Sequence, residues 1–215
     1  MDGIIFGVFV LLILVAGVFG IRWGMRLQKK LADDLANDPE YMAVPRGSMM
    51  WPTIRTRNAA RVAEADLETI DHEPHGTPVR MFVWRARVHR MGLAHRATFR
   101  LDKLGIPAGF AQSYGAAGGF PYGGFPSGDP RFDLLYRLEG TAAPVSGALV
   151  TAPAVRMALQ NMEEIVRVVK LEPDDSLAVE VLAHAVDAAD AKRALGLVRQ
   201  LAEALHTAGA GIRAA

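Results

Sequence analysis

The chain opens with a stretch that is apolar on every side of a helix. Residues 4–21 carry no charged side chain, and their chief interruptions are Gly7, Gly17 and Gly20. A helix of this length measures about 27 Å, which is close to the hydrocarbon thickness of a bilayer. Since a helix in a protein core is rarely apolar all round, the pattern predicts a transmembrane helix.

Basic residues follow this apolar run at once. The predicted membrane-interface residues, all ahead of the next acidic side chain, are Arg22, Trp23, Arg26, Lys29 and Lys30. Only three residues precede the run, without the basic segment of a signal peptide. Because positively charged flanks stay in the cytoplasm, we predict a single-pass protein of the inner (plasma) membrane, with its N-terminus outside and its C-terminal domain cytoplasmic.

Small residues recur within the membrane segment. Ala16, Gly20 and Gly24 are spaced four apart, a pattern that lets two membrane helices approach closely. Beside the lipid bilayer itself, a homo-oligomer formed through this helix is therefore a partner that the sequence leaves open.

The chain after the anchor contains a segment with little periodicity. Residues 25–37 are predicted to form a short helix leaving the membrane, and the residues up to 57, with their prolines and glycine, a tether. We therefore divide the chain into an anchor with its basic flank (1–27), a juxtamembrane helix and tether (28–57) and a soluble α+β domain (58–210).

Two alternating stretches predict a β-hairpin early in the domain. Apolar and basic residues alternate on either side of residues 90–92. Folding the chain there sets Trp84 opposite Phe99 and Arg87 opposite Arg96. One face of the predicted hairpin is apolar and the other is cationic.

The second half of the domain contains further strands and helices. A strand is predicted from Phe132 to Leu138, and a short helix after Thr151 as its N-cap. A second hairpin over residues 165–181 and a helix over residues 187–207 follow. The expected fold is α+β, with one N-terminal transmembrane helix followed by an antiparallel sheet on which a short helix and a long C-terminal helix pack.

Two surfaces carry the candidate binding residues. These are Arg85, Arg87, Arg96 and Arg100 on the cationic face, and Phe120, Tyr122 and Phe125 in a glycine-rich loop over residues 105–128. Like charges opposed across strands destabilise a sheet, so the arginines need partners. Acidic residues of the C-terminal half, the anionic inner leaflet or a protein partner could serve. A nucleic acid is disfavoured, because the aromatic side chains of the hairpin lie on its core face.

Composition and motifs exclude several kinds of functional site. The formal net charge is +1 at pH 7, which gives no field favouring nucleic acid. The absence of cysteine rules out disulfides, thiolate metal sites and a cysteine nucleophile. Asp129 and Asp133, about 13 Å apart in an extended chain, are too distant for paired-carboxylate hydrolysis. With no phosphate-binding loop or nucleophile elbow, we expect no cofactor and no catalytic or metal-binding residue.

One histidine pair supports an alternative. His72 and His75 lie on either side of Pro74, which denies them the helical spacing of zinc proteases. A solvated turn is the simpler interpretation, and a metal-dependent or other enzyme using this region is the alternative hypothesis.

A resemblance supports the same architecture. The segment from Gly128 to Asp133, with Leu149-Val150-Thr151 at a predicted helix start, resembles the "GDPxFD" and "lLTPxxR" motifs of uncharacterised bacterial single-pass membrane proteins. The resemblance spans residues 75–205, and Ala152 interrupts the usual Thr-Pro pair. It implies a bacterial source and this arrangement of elements, but no activity. We therefore predict a membrane-anchored binding module, or a structural partner in a membrane complex.

Overall fold

The computed structural model describes residues 2–47, 50–59, 61–72, 79–93, 98–103, 126–141 and 143–213. The helices in these ranges are α1 (Asp2–Ala36), α2 (Pro130–Asp133), α3 (Ala143–Thr151), α4 (Pro153–Asn161) and α5 (Ala188–Arg213). The strands are β1 (Tyr41–Val44), β2 (Thr53–Thr56), β3 (Ala63–His72), β4 (Val79–Val88), β5 (Phe99–Lys103), β6 (Tyr136–Gly140), β7 (Val166–Leu171) and β8 (Leu177–Leu182).

The described strands form one sheet in the order β1-β2-β3-β4-β8-β7-β5-β6. Every neighbouring pair is antiparallel. The long helix α5 packs across β3, β4 and β8. The predicted α+β class, with an antiparallel sheet and a long C-terminal helix packed on it, is therefore confirmed.

The core lies between one face of the sheet and the helices. A single row of buried side chains crosses seven neighbouring strands: Ile54, Ala65, Ala86, Val179, Val169, Leu101 and Leu138. Helix α5 contributes a complementary buried stripe at helical spacing, made of Ala191, Ala194, Leu195, Val198, Leu201 and Leu205. The alternation of the strands and the period of the helix thus bury the two apolar surfaces against each other.

Helix α1 is continuous from the apolar run into the domain. Its described apolar side chains up to Ile21 are exposed, among them Leu14 at 61% and Phe19 at 71%. By contrast, Leu31 and Leu35, one turn apart near its end, are 1% and 0% exposed and belong to the core. In α1, the side chains of residues 8, 11 and 13–36 are described. Among the described residues, no helix is long and apolar enough to cross a membrane.

The tether predicted up to residue 57 is wrong. Strands β1 and β2 lie in this segment and pair with each other, and β2 pairs with β3. Ile54 is fully buried and Trp51 packs against the core. The proline and glycine residues of the segment therefore mark the connection between two short strands.

The first predicted hairpin is also wrong. Strand β4 pairs with β3 and β8, so that Trp84 lies opposite Leu67 and Val181. Phe99 of β5 lies opposite Leu171 and Gly140 instead. Both stretches do form strands, but their neighbours come from distant parts of the chain.

The second half agrees more closely with the prediction. The β7–β8 hairpin and the last helix are confirmed. The strand predicted from Phe132 begins only at Tyr136, because Asp129 caps the short helix α2 by accepting hydrogen bonds from backbone N–H groups. The prediction of Thr151 as an N-cap is wrong, because Thr151 ends α3, a helix that the sequence pattern does not predict, and Ala152 is the N-cap of α4.

Candidate functional site

The predicted cationic face is the sheet face opposite the helices, which we call the open face. Along β4 the buried Trp84 and Ala86 alternate with half-buried Arg85 and Arg87. Since neighbouring residues of a strand point to opposite faces, the two arginines lie on the open face. The neighbouring strands show the same alternation, so their charged side chains also lie on the open face.

The arginines of β4 have acidic partners on both sides. Arg85 forms ion pairs with Glu68 of β3 at 3.0 Å and with Glu180 of β8 at 3.3 Å. Arg87 lies opposite Glu64 of β3 and pairs with Glu172 at 3.5 Å. The prediction that Arg87 faces Arg96 is therefore wrong, and Arg96 itself lies outside the described residues.

Glu180 is shared by several cations. Besides Arg85, its carboxylate lies 3.9 Å from Arg167 and 4.0 Å from Lys170. Its side chain is only 13% exposed, so these interactions are weakly screened by solvent. Glu172 and Glu180 thus neutralise the open face from within the C-terminal half, as one of the proposed explanations predicts.

Arg100 belongs to a second cluster on the open face. It donates two hydrogen bonds to Asp102, at 2.7 and 2.8 Å, and Arg137 donates another at 3.2 Å. Burial opposes ionisation of Asp102, but these hydrogen bonds outweigh it, so the pKa of Asp102 lies below its ordinary value. The pKa of Arg100 is raised in turn by its hydrogen bonds to Asp102. Both groups are held in their charged forms.

Glu64 extends the ion pairs of the open face to β2 on one side of β3. Its carboxylate pairs with Arg55 at 2.8 Å and with the His89 ring at 2.9 Å. Burial raises the pKa of Glu64, while the hydrogen bonds from His89 and Arg55 lower it more, leaving it below the ordinary value. The described part of the open face therefore carries a network of ion pairs between acidic and basic side chains. The prediction that this face is cationic is wrong.

The sequence of β3 contains a signal for these partners. Strand β3 alternates small or apolar residues with Glu64, Asp66 and Glu68. This acidic alternation complements the basic alternation of β4, and opposite charges across neighbouring strands are favourable. Matching the two patterns predicts the β3–β4 pairing that the structure shows.

The other predicted site residues are distributed differently. Phe120, Tyr122 and Phe125 lie outside the described residues, as does His75. His72 ends β3, and its side chain is not described. Among the described residues, no group of His, Cys, Asp and Glu side chains is arranged to hold a metal ion. The predicted membrane-interface residues are all exposed along α1, at Arg22, Trp23, Arg26, Lys29 and Lys30.

Two ion pairs that no local sequence pattern predicts fasten the turn between α1 and β1 to α5. Lys192 pairs with Asp38, and Arg199 pairs with Glu40. The hydrogen bond from Lys192, with those from the backbone N–H groups of Tyr41 and Glu40, lowers the pKa of Asp38 to about 2. We call these four side chains the clasp. The partners are more than 150 residues apart in sequence, which is why local patterns give no sign of them.

The described residues form three grooves on the helical side of the domain, one of which has a volume of about 440 Å³ and lies beside α4 and α5. Another of about 640 Å³ runs between α5 and the β2–β3 connection, with Arg61, Val88 and Gln200 among its lining residues. A smaller one of about 220 Å³ is lined by residues that include Tyr136 and Glu163. Burial raises the pKa of Tyr136, so its hydroxyl stays protonated. Among the described residues, none of the three linings pairs a nucleophile with a general base, so these grooves show no recognisable catalytic arrangement.

Comparison of the chain with protein-family models, with curated proteins and with solved structures finds no match.

Proposed function

We propose that the protein is a single-pass, membrane-anchored binding module without enzymatic activity, whose α+β domain faces the cytoplasm. The observation that carries the proposal is the contrast along α1. Its described apolar side chains from Val8 to Ile21 are uncovered, whereas Leu31 and Leu35 are packed into the domain. One helix therefore joins a surface in need of an apolar environment to a folded domain.

The exposed part of α1 presents a large apolar surface. Exposed large apolar residues there include Val8, Leu11, Ile13, Leu14, Val15, Val18, Phe19 and Ile21. Burying one such side chain fully is worth about 1.5–3 kcal/mol, so leaving them all in water would cost on the order of 10 kcal/mol. Uncovered apolar surfaces of this size mark contacts with a membrane or another protein. The uncharged residues 4–21 match the thickness of a bilayer, which favours the membrane.

The orientation rests on the charges that follow the apolar run. Arg22, Arg26, Lys29 and Lys30 are exposed on the part of α1 between residue 21 and the domain. These four basic side chains are not buried in the domain. Since the basic flank of a membrane helix stays on the cytoplasmic side, they favour a cytoplasmic position for the domain.

A binding role is supported by the state of the charged groups. The described arginines of the predicted site are paired with carboxylates, and the described grooves lack paired catalytic groups. Since Arg85, Arg87 and Arg100 are already neutralised, simple attraction to anionic lipid is a weaker explanation than a protein partner. We therefore propose a protein partner as the target of the domain.

Extraction of membranes with alkaline carbonate tests the anchor. The full-length protein is expected to stay in the membrane pellet. Replacing Leu11 and Leu14 by arginine places two charges near the centre of the span, at about 2.5–3.5 kcal/mol each, and should release the protein. The matched control places two arginines at Met25 and Gln28, beyond the span, and should remain in the pellet. Release of the unmodified protein into the soluble fraction would refute the proposal.

A single cysteine tests the orientation, because the natural chain contains none. A Gln200→Cys variant has its label site on exposed α5. We expect a membrane-impermeant maleimide to label it only after cells are lysed. Labelling of intact cells to the same extent would place the domain on the outer side.

A further inference from the structure

The groove of about 220 Å³ lies between α2, β6 and α4, at the edge of the sheet opposite β1. Its lining is largely apolar. Phe132 of α2 and Leu159 of α4 are 5% and 1% exposed, and the ring of Tyr136 on β6 stacks on Phe132 with 4.9 Å between the ring centroids. Ligand sites are commonly apolar clefts of about 300–1,000 Å³ with a few polar groups, so this groove suits a smaller molecule.

The hydroxyl of Tyr136 is an unused hydrogen-bonding group beside this groove. Tyr136 is 4% exposed, and its hydroxyl has no hydrogen-bond partner among the described residues. Burial raises the pKa of Tyr136 and the negative charge of Glu163 raises it further, so the hydroxyl keeps its proton and can donate. Since buried polar groups in proteins are normally hydrogen-bonded, a ligand that offers an acceptor supplies the missing partner.

Two charged residues of the same lining form no ion pair within the described chain. Arg131 is exposed on α2, and Glu163 is half-buried just after α4. Lys103 donates to the backbone carbonyl of Glu163 rather than to its carboxylate. By contrast, Arg156 of the lining is paired with Asp129 at 2.6 Å. A ligand that carries one charge of each sign complements Arg131 and Glu163 together, whereas a simple anion or cation meets one like charge.

We propose that this groove binds a small amino acid with an apolar side chain. Its carboxylate accepts hydrogen bonds from the guanidinium of Arg131, whose planar donors match a carboxylate, and from the hydroxyl of Tyr136. Its ammonium pairs with Glu163, and its side chain packs on Phe132 and Leu159. The site goes beyond the proposed anchoring and does not depend on it.

The C-terminal residue of a peptide offers part of the same chemistry. It carries a carboxylate and an apolar side chain, but an amide N–H takes the place of the ammonium. Glu163 favours the free amino acid, because a carboxylate binds a charged donor more strongly than a neutral one. The two sources share the contacts to Arg131 and Tyr136 and differ only at Glu163.

Equilibrium dialysis of the full-length protein in mild detergent tests the site, with radiolabelled L-phenylalanine and L-leucine as probes. We expect one of these amino acids to bind at one molecule per chain. Its amide derivative, which lacks the carboxylate, should compete at least about tenfold more weakly, as expected for the loss of a charged hydrogen-bond acceptor. The N-acetyl derivative distinguishes the sources, since stronger competition by this compound than by the free amino acid identifies a peptide C-terminus.

Three variants test the assigned contacts. Arg131→Gln and Glu163→Gln should each weaken binding about tenfold, because each removes a charged partner of the ligand. The matched control is Arg80→Gln, which breaks an exposed ion pair on β4 and should bind normally. Tyr136→Phe keeps the stacked ring and removes only the hydroxyl. It should weaken binding to a similar degree without lowering the unfolding temperature of the empty protein, since the hydroxyl has no partner there to lose.

The proposal is overturned if neither amino acid binds, or if the amide derivative competes as well as the free amino acid. Unchanged affinity in both Arg131→Gln and Tyr136→Phe would also overturn it. Arg131 is exposed, so its variant is expected to fold and keeps the test decisive. All measurements are made in detergent, and their outcome is therefore independent of whether α1 spans a membrane.

Discussion

The indole Nε1 of Trp84 donates a hydrogen bond of 3.1 Å to Oδ2 of Asp190, and both side chains are buried. The same oxygen accepts hydrogen bonds from the backbone N–H groups of His184 and Ala185, at 3.0 and 3.3 Å. Asp190 therefore fastens the first turn of α5 and the loop before it to the middle of β4. The long C-terminal helix is positioned on the sheet by polar contacts as well as by its apolar stripe.

Replacing Trp84 by phenylalanine should destabilise the domain. The substitution removes one partner of a buried carboxylate and part of a large buried ring, for an expected loss of about 1–3 kcal/mol in the free energy of unfolding. Thermal unfolding of the full-length protein in mild detergent, followed by circular dichroism, measures the effect. The matched control is Trp23→Phe, at an exposed position of α1. Equal changes in the two variants would show that the Trp84–Asp190 contact contributes nothing.

The elements that the sequence predicts correctly are those whose pattern is local. The β7–β8 hairpin is closed by the turn from Glu172 to Ser176, and α5 has a regular apolar period. In both cases the residues that define the element are neighbours in the chain. Such local patterns predict the element without any knowledge of its contacts with distant parts of the chain.

The errors concern contacts between distant parts of the chain. The alternation of β4 shows that Trp84 and Arg85 point to opposite faces, but it is equally satisfied by β5 or by β3 as a neighbour. Similarly, the buried Leu31 lies on α1, which contacts α5, a helix that begins more than 150 residues later in the chain. The balance of charge on the open face could not be read from β4 alone, because its neutralising residues come from β3 and β8.

The boundary of the folded unit gives a second prediction. A fragment of residues 58–215 lacks β1, β2 and the buried end of α1, and so loses Leu31, Leu35 and Ile54 from the core. Three such side chains are worth about 1.5–3 kcal/mol each, against a total stability of about 5–15 kcal/mol for a domain. We expect a fragment of residues 25–215 to unfold cooperatively on heating and the shorter fragment to lack a cooperative transition.

Near-ultraviolet circular dichroism reports on the packing of Trp84 in both fragments and also on that of Trp51 in the longer one. A Leu35→Ala variant of the longer fragment should lie between them, since the cavity left by this truncation costs about 2–5 kcal/mol. If residues 58–215 unfold at the same temperature as residues 25–215, then α1 and the first two strands are not part of the folded unit.

Two glycines provide a matched pair for a third prediction. Gly140 has a φ of +154°, and a Cβ at this position would lie 2.1 Å from the carbonyl oxygen of Thr98. Gly196 lies in α5, and a Cβ there would meet no atom within 4 Å. The same substitution by alanine is therefore blocked by backbone at one position and free at the other.

We expect Gly140→Ala to destabilise the protein by about 3 kcal/mol, because β5 and β6 must separate to admit the methyl group. Gly196→Ala should stabilise it by about 0.5–1 kcal/mol, as alanine restricts the unfolded chain and favours the helix. Chemical denaturation of the two variants beside the natural protein measures both changes. A loss of stability in Gly196→Ala as large as that in Gly140→Ala would contradict the packing described around these residues.

The clasp between α5 and the turn before β1 makes stability depend on pH through Asp38. The pKa of this carboxyl is lowered from 3.8 to about 2, chiefly by the hydrogen bond from Lys192. Because the folded state binds the proton less readily than the unfolded state, the contribution is fully present above a pH of about 4 and is lost as the pH falls towards 2. The pKa values of Glu64, Asp102 and Asp174 are also lowered, so these carboxyl groups add losses of stability in the same direction.

An Asp38→Asn variant should be less stable than the natural protein at neutral pH, and the difference should shrink on acidification, as measured by urea midpoints across this range. The control is Asp34→Asn, an exposed residue near the end of α1, whose curve should run parallel to that of the natural protein. A parallel curve for Asp38→Asn as well would mean that Lys192 does not hold Asp38 in solution, which would leave Leu31, Leu35 and the Glu40–Arg199 pair to hold this part of the chain on the domain.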